Sequence, residues 1–173
     1  MKLNEHIFLI GFMGCGKSTN ARYLSRVTGA EQMEMDQKIV EDQGMAITEI
    51  FAKFGEPFFR DLETGLIRSM KGKEPMVVSC GGGAVLREEN VALMKEVGKI
   101  VLLTATPETI YDRVKDSTDR PVLNGNMNIE YITELMEKRR PKYEAAADIV
   151  VATDMKNTRE ICEEILEKVE RCH

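Results

Sequence analysis

The stretch Gly11-Phe12-Met13-Gly14-Cys15-Gly16-Lys17-Ser18-Thr19 fills every fixed position of the pattern G-x-x-x-x-G-K-[ST]. The pattern dictates a local geometry of strand, glycine-rich loop and helix. Glycines let the backbone curl so that successive N–H groups converge on phosphate oxygens. Lys17 then reaches the outer phosphates of a nucleotide, and the Ser18 hydroxyl can sit on Mg²⁺. The helix that follows turns its positive end toward the same anion. Gly14, Cys15, Gly16, Lys17, Ser18 and Thr19 are therefore the expected nucleotide contacts. The flanks agree with the pattern. Ile7-Phe8-Leu9-Ile10 reads as a buried parallel strand, and residues 20–26 are helix-competent. Leu24 and Val27 supply an inward stripe before Thr28-Gly29 ends the run.

Apolar stretches at 6–10, 31–35, 76–80, 99–103 and 148–152 alternate with helix-like segments. That alternation predicts an α/β fold with a parallel sheet between two helical layers. The stretch 31–35 alternates methionine with polar residues, so it is expected at a wet sheet edge. Between 37 and 74 nothing resembles a strand, and at least two helices are expected there. Thr48 is a candidate N-cap for one of them, and Pro57 fits the first turn of the next. This excess of helix is where a substrate-holding insertion belongs. Val77-Val78-Ser79-Cys80 runs into Gly81-Gly82-Gly83. Three glycines at the carboxyl end of a strand allow a ligand close to the backbone, although a flexible strand exit would also look like this. Residues 114–128 are polar with little periodicity, which suits a lid carrying Arg120 as well as an ordinary surface loop. Ile161, Ile165, Leu166 and Val169 mark a final helix near 157–171 that packs on the sheet.

With 173 residues, the chain is expected to form a single domain over 1–173. A net charge of −5 gives no global attraction to nucleic acid, so any anionic ligand must be held by individual cations. No apolar run approaches the ~20 residues of a membrane helix. The chain enters a strand almost at once, leaving no room for a leader, and a cytoplasmic location is expected. Cys15, Cys80, Cys162 and Cys172 have no metal-binding spacing and are expected as free thiols. Cys15 sits at a helix N-terminus, where a thiol with a lowered pKa and a small residue that merely fits are the two readings.

Beyond the phosphate loop, an ordered series runs down the chain. It comprises Met35-Asp36 with Ile39, Phe51, Phe59-Arg60-Asp61-Leu62-Glu63, Val78-Ser79-Cys80-Gly81-Gly82-Gly83, Arg120-Pro121-Val122-Leu123 and Arg139-Arg140-Pro141-Lys142-Tyr143. In this series the chain resembles the shikimate kinases over essentially its whole length. The resemblance implies a P-loop kinase fold with five parallel strands in the order 2-3-1-4-5. It also implies a shikimate-binding region at about 34–63 and a lid at about 114–126. The implied reaction is transfer of the ATP γ-phosphate to the 3-hydroxyl of shikimate.

By the same resemblance, Arg60 and Arg139 hold the substrate carboxylate, a task that suits planar bidentate donors. Asp36 accepts from the ring hydroxyls and takes the attacking proton, and Glu63 steadies Arg60 from one helical turn away. Gly82 gives a backbone contact, while Phe51 and Phe59 wall the ring. Lys17 and Arg120 neutralise charge on the transferring phosphate, and Arg113 packs on adenine. The family usually has Asp-x-Asp after its second strand, whereas this chain reads Glu34-Met35-Asp36. Its first acid, here Glu34, helps hold Mg²⁺ through water alongside Ser18. ATP and shikimate are the only partners implied, and nothing in the chain demands more than a monomer. A gluconate-type sugar-acid kinase and a binding protein without catalysis are the competing readings.

Overall fold

The computed structural model describes residues 2–115 and 128–172. At its centre is β1 (His6–Ile10), buried at every position, as expected of a strand covered on both faces. It pairs in parallel with β3 (Met76–Ser79) on one side and β4 (Gly98–Thr104) on the other. β2 (Glu31–Glu34) extends the sheet beyond β3, and β5 (Ile149–Ala152) beyond β4, both again parallel. The spatial order is therefore 2-3-1-4-5. The polar alternation of β2 has its predicted cause, because this strand is an edge with no buried residue.

One layer contains α1 (Lys17–Thr28) and α8 (Thr158–Arg171), which pack on each other. α1 lies along β1, β2 and β3, and α8 along β5. α8 starts at a capping box in which Asn157 and Glu160 satisfy each other's backbone N–H groups, and it buries Ile161, Ile165 and Val169. The other layer holds α5 (Glu88–Val97) and α7 (Ile129–Ala146) against β4, with α6 (Pro107–Val114) packed on α7.

Between β2 and β3 run α2 (Met35–Gln43), α3 (Ile47–Phe54) and α4 (Glu56–Arg68). They bury a small apolar centre of their own: Ile39, Ile50 and Phe59, with Phe51 packed against it. Full burial of a side chain such as Ile50 is worth about 1.5–3 kcal/mol, so the insertion has its own reason to hold together.

Two local expectations fail. Val27 is 45% exposed. The last turn of α1 has reached the amino ends of the strands, where Val27 lines an open cleft with Leu3, Ala30 and Met76 instead of entering the core. Thr48 is not a cap, since Ala46 holds that position in extended conformation. The helix starts earlier because Ile47 joins the apolar centre of the insertion.

Candidate active site

The phosphate loop leaves β1 and bends through Gly14 at φ 79° and Gly16 at φ 101°, left-handed values that favour glycine at both positions. Gly16 is the N-cap of α1, and no side chain caps that end. The first-turn N–H groups and the helix dipole are thus available to an anion. Lys17 Nζ donates to the Gly11 carbonyl at 2.6 Å. Asn20, buried one turn into α1, donates through Nδ2 to the Gly16 carbonyl at 2.7 Å and ties the loop to the helix. Thr19 is exposed on the first turn.

Of its two readings, Cys15 takes that of a small residue that fits. It is 1% exposed, and burial pushes its pKa up against the opposing pull of Lys17 and Arg113. Its N–H donates to the Phe12 carbonyl at 3.1 Å, so Cys15 shapes the loop from within. A helix N-terminus lowers a thiol pKa only where the thiolate keeps some solvation.

Arg113, near the end of α6, reaches across to the loop. Nη1 donates to the Gly14 carbonyl at 2.9 Å and to Thr153 Oγ1 at 3.2 Å. The guanidinium is thereby fixed beside the phosphate loop at the carboxyl end of β5. Arg120 and residues 116–126 of the expected lid lie outside the described residues.

Ser18 and Glu34 meet directly, with Ser18 Oγ donating to Glu34 Oε2 at 2.9 Å. Gln32, two residues earlier on the same strand face, donates through Nε2 to Glu34 Oε1 at 2.8 Å. Ser79 Oγ lies 3.5 Å from Ser18 Oγ. Hydroxyl and carboxylate oxygens are hard donors that suit a magnesium-like ion. Among the described residues no group of three or more His, Cys, Asp or Glu side chains is placed to hold a metal by protein ligands alone. An ion bound here would complete its shell with phosphate and water, as Mg²⁺ habitually does.

On the other side of Lys17, the insertion and the glycine run close a pocket. Asp36 stands in the first turn of α2 at the end of β2. Burial raises its pKa, while the Lys17 and Arg60 cations pull in the opposite direction. Arg60 on α4 pairs with Glu63 Oε1 at 2.8 Å and with Glu56 at 3.4 Å. Burial works against the guanidinium charge, but these carboxylates outweigh it and raise the Arg60 pKa. Glu63 is 0% exposed, and its Oε2 has no hydrogen-bond partner among the described residues. Burial pushes the Glu63 pKa up despite Arg60. The Phe51 and Phe59 rings lie 5.0 Å apart, and Phe59 supports the Arg60 guanidinium, whose central carbon is 5.4 Å from the ring centre.

The three glycines have a packing reason that the sequence did not reveal. A Cβ at Gly81 would lie 2.7 Å from Asp36 Oδ1, and one at Gly82 would lie 3.0 Å from Arg139 Nη1. One at Gly83 would lie 2.4 Å from Arg60 Nη1. Each glycine lets one polar side chain rest on the backbone. Tyr143 donates its hydroxyl to the Gly82 carbonyl at 2.8 Å and lies beside Arg139. The neighbouring Arg140 is instead exposed and pairs with Glu137. Asp36, Arg60, Arg139, Glu63, Phe51 and Phe59 thus lie together around the glycine run that includes Gly82. Gln32, Ser79 and Tyr143 join the site without having been assigned a role from the sequence. Ser79 and Tyr143 do stand in the motif series of the sequence, and Gln32 left a signal in its two-residue spacing from Glu34.

Comparison with known proteins follows the geometry. A family model described as shikimate kinase matches residues 13–170. A shikimate kinase from Thermodesulfovibrio yellowstonii is 40% identical over 167 residues, covering 96% of this chain and 96% of the relative. The solved shikimate kinase from Acinetobacter baumannii in complex with shikimate superposes with a TM-score of 0.88 at 29% identity, covering 97% of this chain and 94% of that one. The structure of shikimate kinase from Aquifex aeolicus gives 0.80 at 37% identity, covering 95% and 96%. By fold and by sequence, the chain belongs to the shikimate kinase family, ATP-dependent kinases that phosphorylate an alcohol.

Proposed function

We propose that this site transfers the γ-phosphoryl group of ATP to the 3-hydroxyl of shikimate, giving shikimate 3-phosphate and ADP. The observation that carries the reading is the convergence of Asp36, Arg60 and Arg139 on Gly81, Gly82 and Gly83. Two arginines and one carboxylate in one pocket match a ligand with a carboxylate at one end and hydroxyls at the other.

Arg60 and Arg139 hold the substrate carboxylate, and Phe51 and Phe59 face the ring. Asp36 orients the hydroxyl and accepts its proton as the oxygen attacks the γ-phosphorus. The bond from that phosphorus to the bridging oxygen breaks, and ADP departs with the electron pair. Lys17 and the first-turn amides of α1 stabilise the phosphates, with Arg120 adding charge over the transferring group. Arg113 faces the adenine end. Ser18 and Glu34 would hold Mg²⁺, Glu34 through water, and the ion supplies charge neutralisation on the phosphate oxygens when bound. The family's aromatic-pathway reaction needs no nucleic acid, membrane or second chain, and the reading assigns it to the cytoplasm as a single-domain monomer. Among the described residues no helix is long and apolar enough to cross a membrane.

The test is ADP release from Mg²⁺-ATP with shikimate, with gluconate or with no acceptor. Turnover with shikimate alone is expected. Turnover with gluconate would transfer the site to a sugar-acid kinase, and nucleotide binding without acceptor-dependent turnover would leave only a binding protein.

A further inference from the structure

Asn90 lies on α5, outside the pocket, and is 0% exposed. A carboxamide buried in a core is costly unless its polar atoms are paired. Here both ends are engaged. Nδ2 donates to the Ala84 carbonyl at 2.8 Å, and Oδ1 accepts from Thr64 Oγ1 at 2.6 Å. A carbonyl can only accept, so the Ala84 contact fixes which way the amide faces and makes the Thr64 hydroxyl the donor.

The two partners belong to the two walls of the acid pocket. Thr64 is four residues after Arg60 and on the same face of α4. Ala84 directly follows Gly83, against whose backbone the Arg60 guanidinium rests. We propose that Asn90 is a positioning residue whose buried carboxamide sets the spacing between α4 and the glycine run, holding Arg60 in place for the substrate carboxylate. Arg87, three residues earlier, repeats the link at the surface by donating to Asp61 at 2.8 Å and to Thr64 Oγ1 at 3.3 Å. That outer contact is solvent-screened, so the buried amide is the one that defines the distance. The inference rests on the reading of Arg60 as a carboxylate ligand.

Thr64→Val tests it, since valine keeps the shape and removes the hydroxyl that bonds Asn90, along with its longer contacts to Arg87 and the Arg60 carbonyl, and Asn90→Ala should reproduce its effect. Asn90→Ala removes the amide, and Thr64→Ser restores the donor. Shikimate KM is expected to rise about tenfold in Thr64→Val, with ATP KM within about twofold of the native value, because only the acid pocket is displaced. Thr64→Ser should keep native constants. In an Arg60→Ala background, Thr64→Val should raise shikimate KM no further, because the amide acts through Arg60. Equal changes in both KM values, or a full additional effect on top of Arg60→Ala, would overturn the proposal. If Arg60→Ala itself leaves shikimate KM unchanged, the pocket reading falls and the role of Asn90 falls with it. If Arg60→Ala raises KM while Thr64→Val does not, the role of Asn90 falls alone. Thermal melting of each variant separates loss of fold from loss of position.

Discussion

Gly83→Ala probes the pocket with one methyl group. The backbone at Gly83 has φ −101°, so alanine meets no left-handed penalty there. The difficulty lies in what the methyl would touch. Its carbon would sit 2.4 Å from Arg60 Nη1 and 2.6 Å from Nη2, where ordinary contact begins at 3.4 Å. The guanidinium must therefore withdraw by about 1 Å, a displacement that can reduce a positioned interaction about 10²-fold. Withdrawal also strains the 2.8 Å bond to Glu63, which is fully buried and has no second cation within hydrogen-bond distance among the described residues. Shikimate KM is thus expected to rise about 100-fold, while ATP KM stays within about twofold and kcat falls much less. The fold should persist, since the obstacle is the far end of a flexible side chain. The assay is coupled ADP release at saturating Mg²⁺-ATP over a shikimate series, beside a thermal melt. A shikimate KM within about threefold of the native value, in a folded variant, would refute the claim that Arg60 must rest on this backbone to bind the substrate.

Burial holds the Asp36 carboxyl above the ordinary aspartate range against Lys17 and Arg60. The acid limb of kcat/KM should accordingly lie above that range, and Arg60→Ala should move it to higher pH; a limb that moves lower would refute the assignment. Stability runs the other way. Asp36 and Glu63 have folded pKa values above their unfolded ones, so the folded chain binds more protons between the two. Their penalty is in full force above the folded values and is relieved as the pH falls through them, and Glu63→Gln should flatten that slope in urea melts. Arg113→Ala should raise ATP KM and spare shikimate KM, because its guanidinium is fixed on Gly14 and Thr153 rather than in the acid pocket. A thiol reagent should label exposed Cys172 promptly and buried Cys15, Cys80 and Cys162 slowly, burial having pushed Cys162 up to about 12; prompt loss of nucleotide affinity through Cys15 would contradict its burial. Glu34→Asp should leave turnover within about tenfold while changing its Mg²⁺ dependence, since aspartate is one methylene short of the Ser18 hydroxyl.

What the sequence made legible was whatever short-range chemistry determines. The phosphate loop is one, because nine consecutive residues carry the strand exit, the curl and the helix start. The polar alternation of 31–35 likewise located an edge strand before any partner was known. Contacts between distant segments left no such trace. Nothing near Asn90 shows that Thr64, 26 residues away, will meet its amide. Nothing near Gly82 shows that Tyr143, 61 residues later, will bond its carbonyl. The failures at Val27 and Thr48 have one origin. Helical phase and capping preference are local rules, and each was overridden by where the element sits: past the end of the sheet, or beside an apolar cluster.

The edge position of β2 has a further consequence. A bare parallel edge offers unpaired backbone groups to any other extended chain, and self-association is the usual hazard. Here that edge is four residues long and carries Glu31, Gln32 and Glu34. The Glu34 carboxylate, which accepts from Ser18 beside the phosphate loop, therefore also repels a sixth strand. A variant that neutralised Glu31 and Glu34 would be expected to aggregate while its core was still intact, so the proposed chemistry of this edge and its resistance to self-association rest on shared side chains.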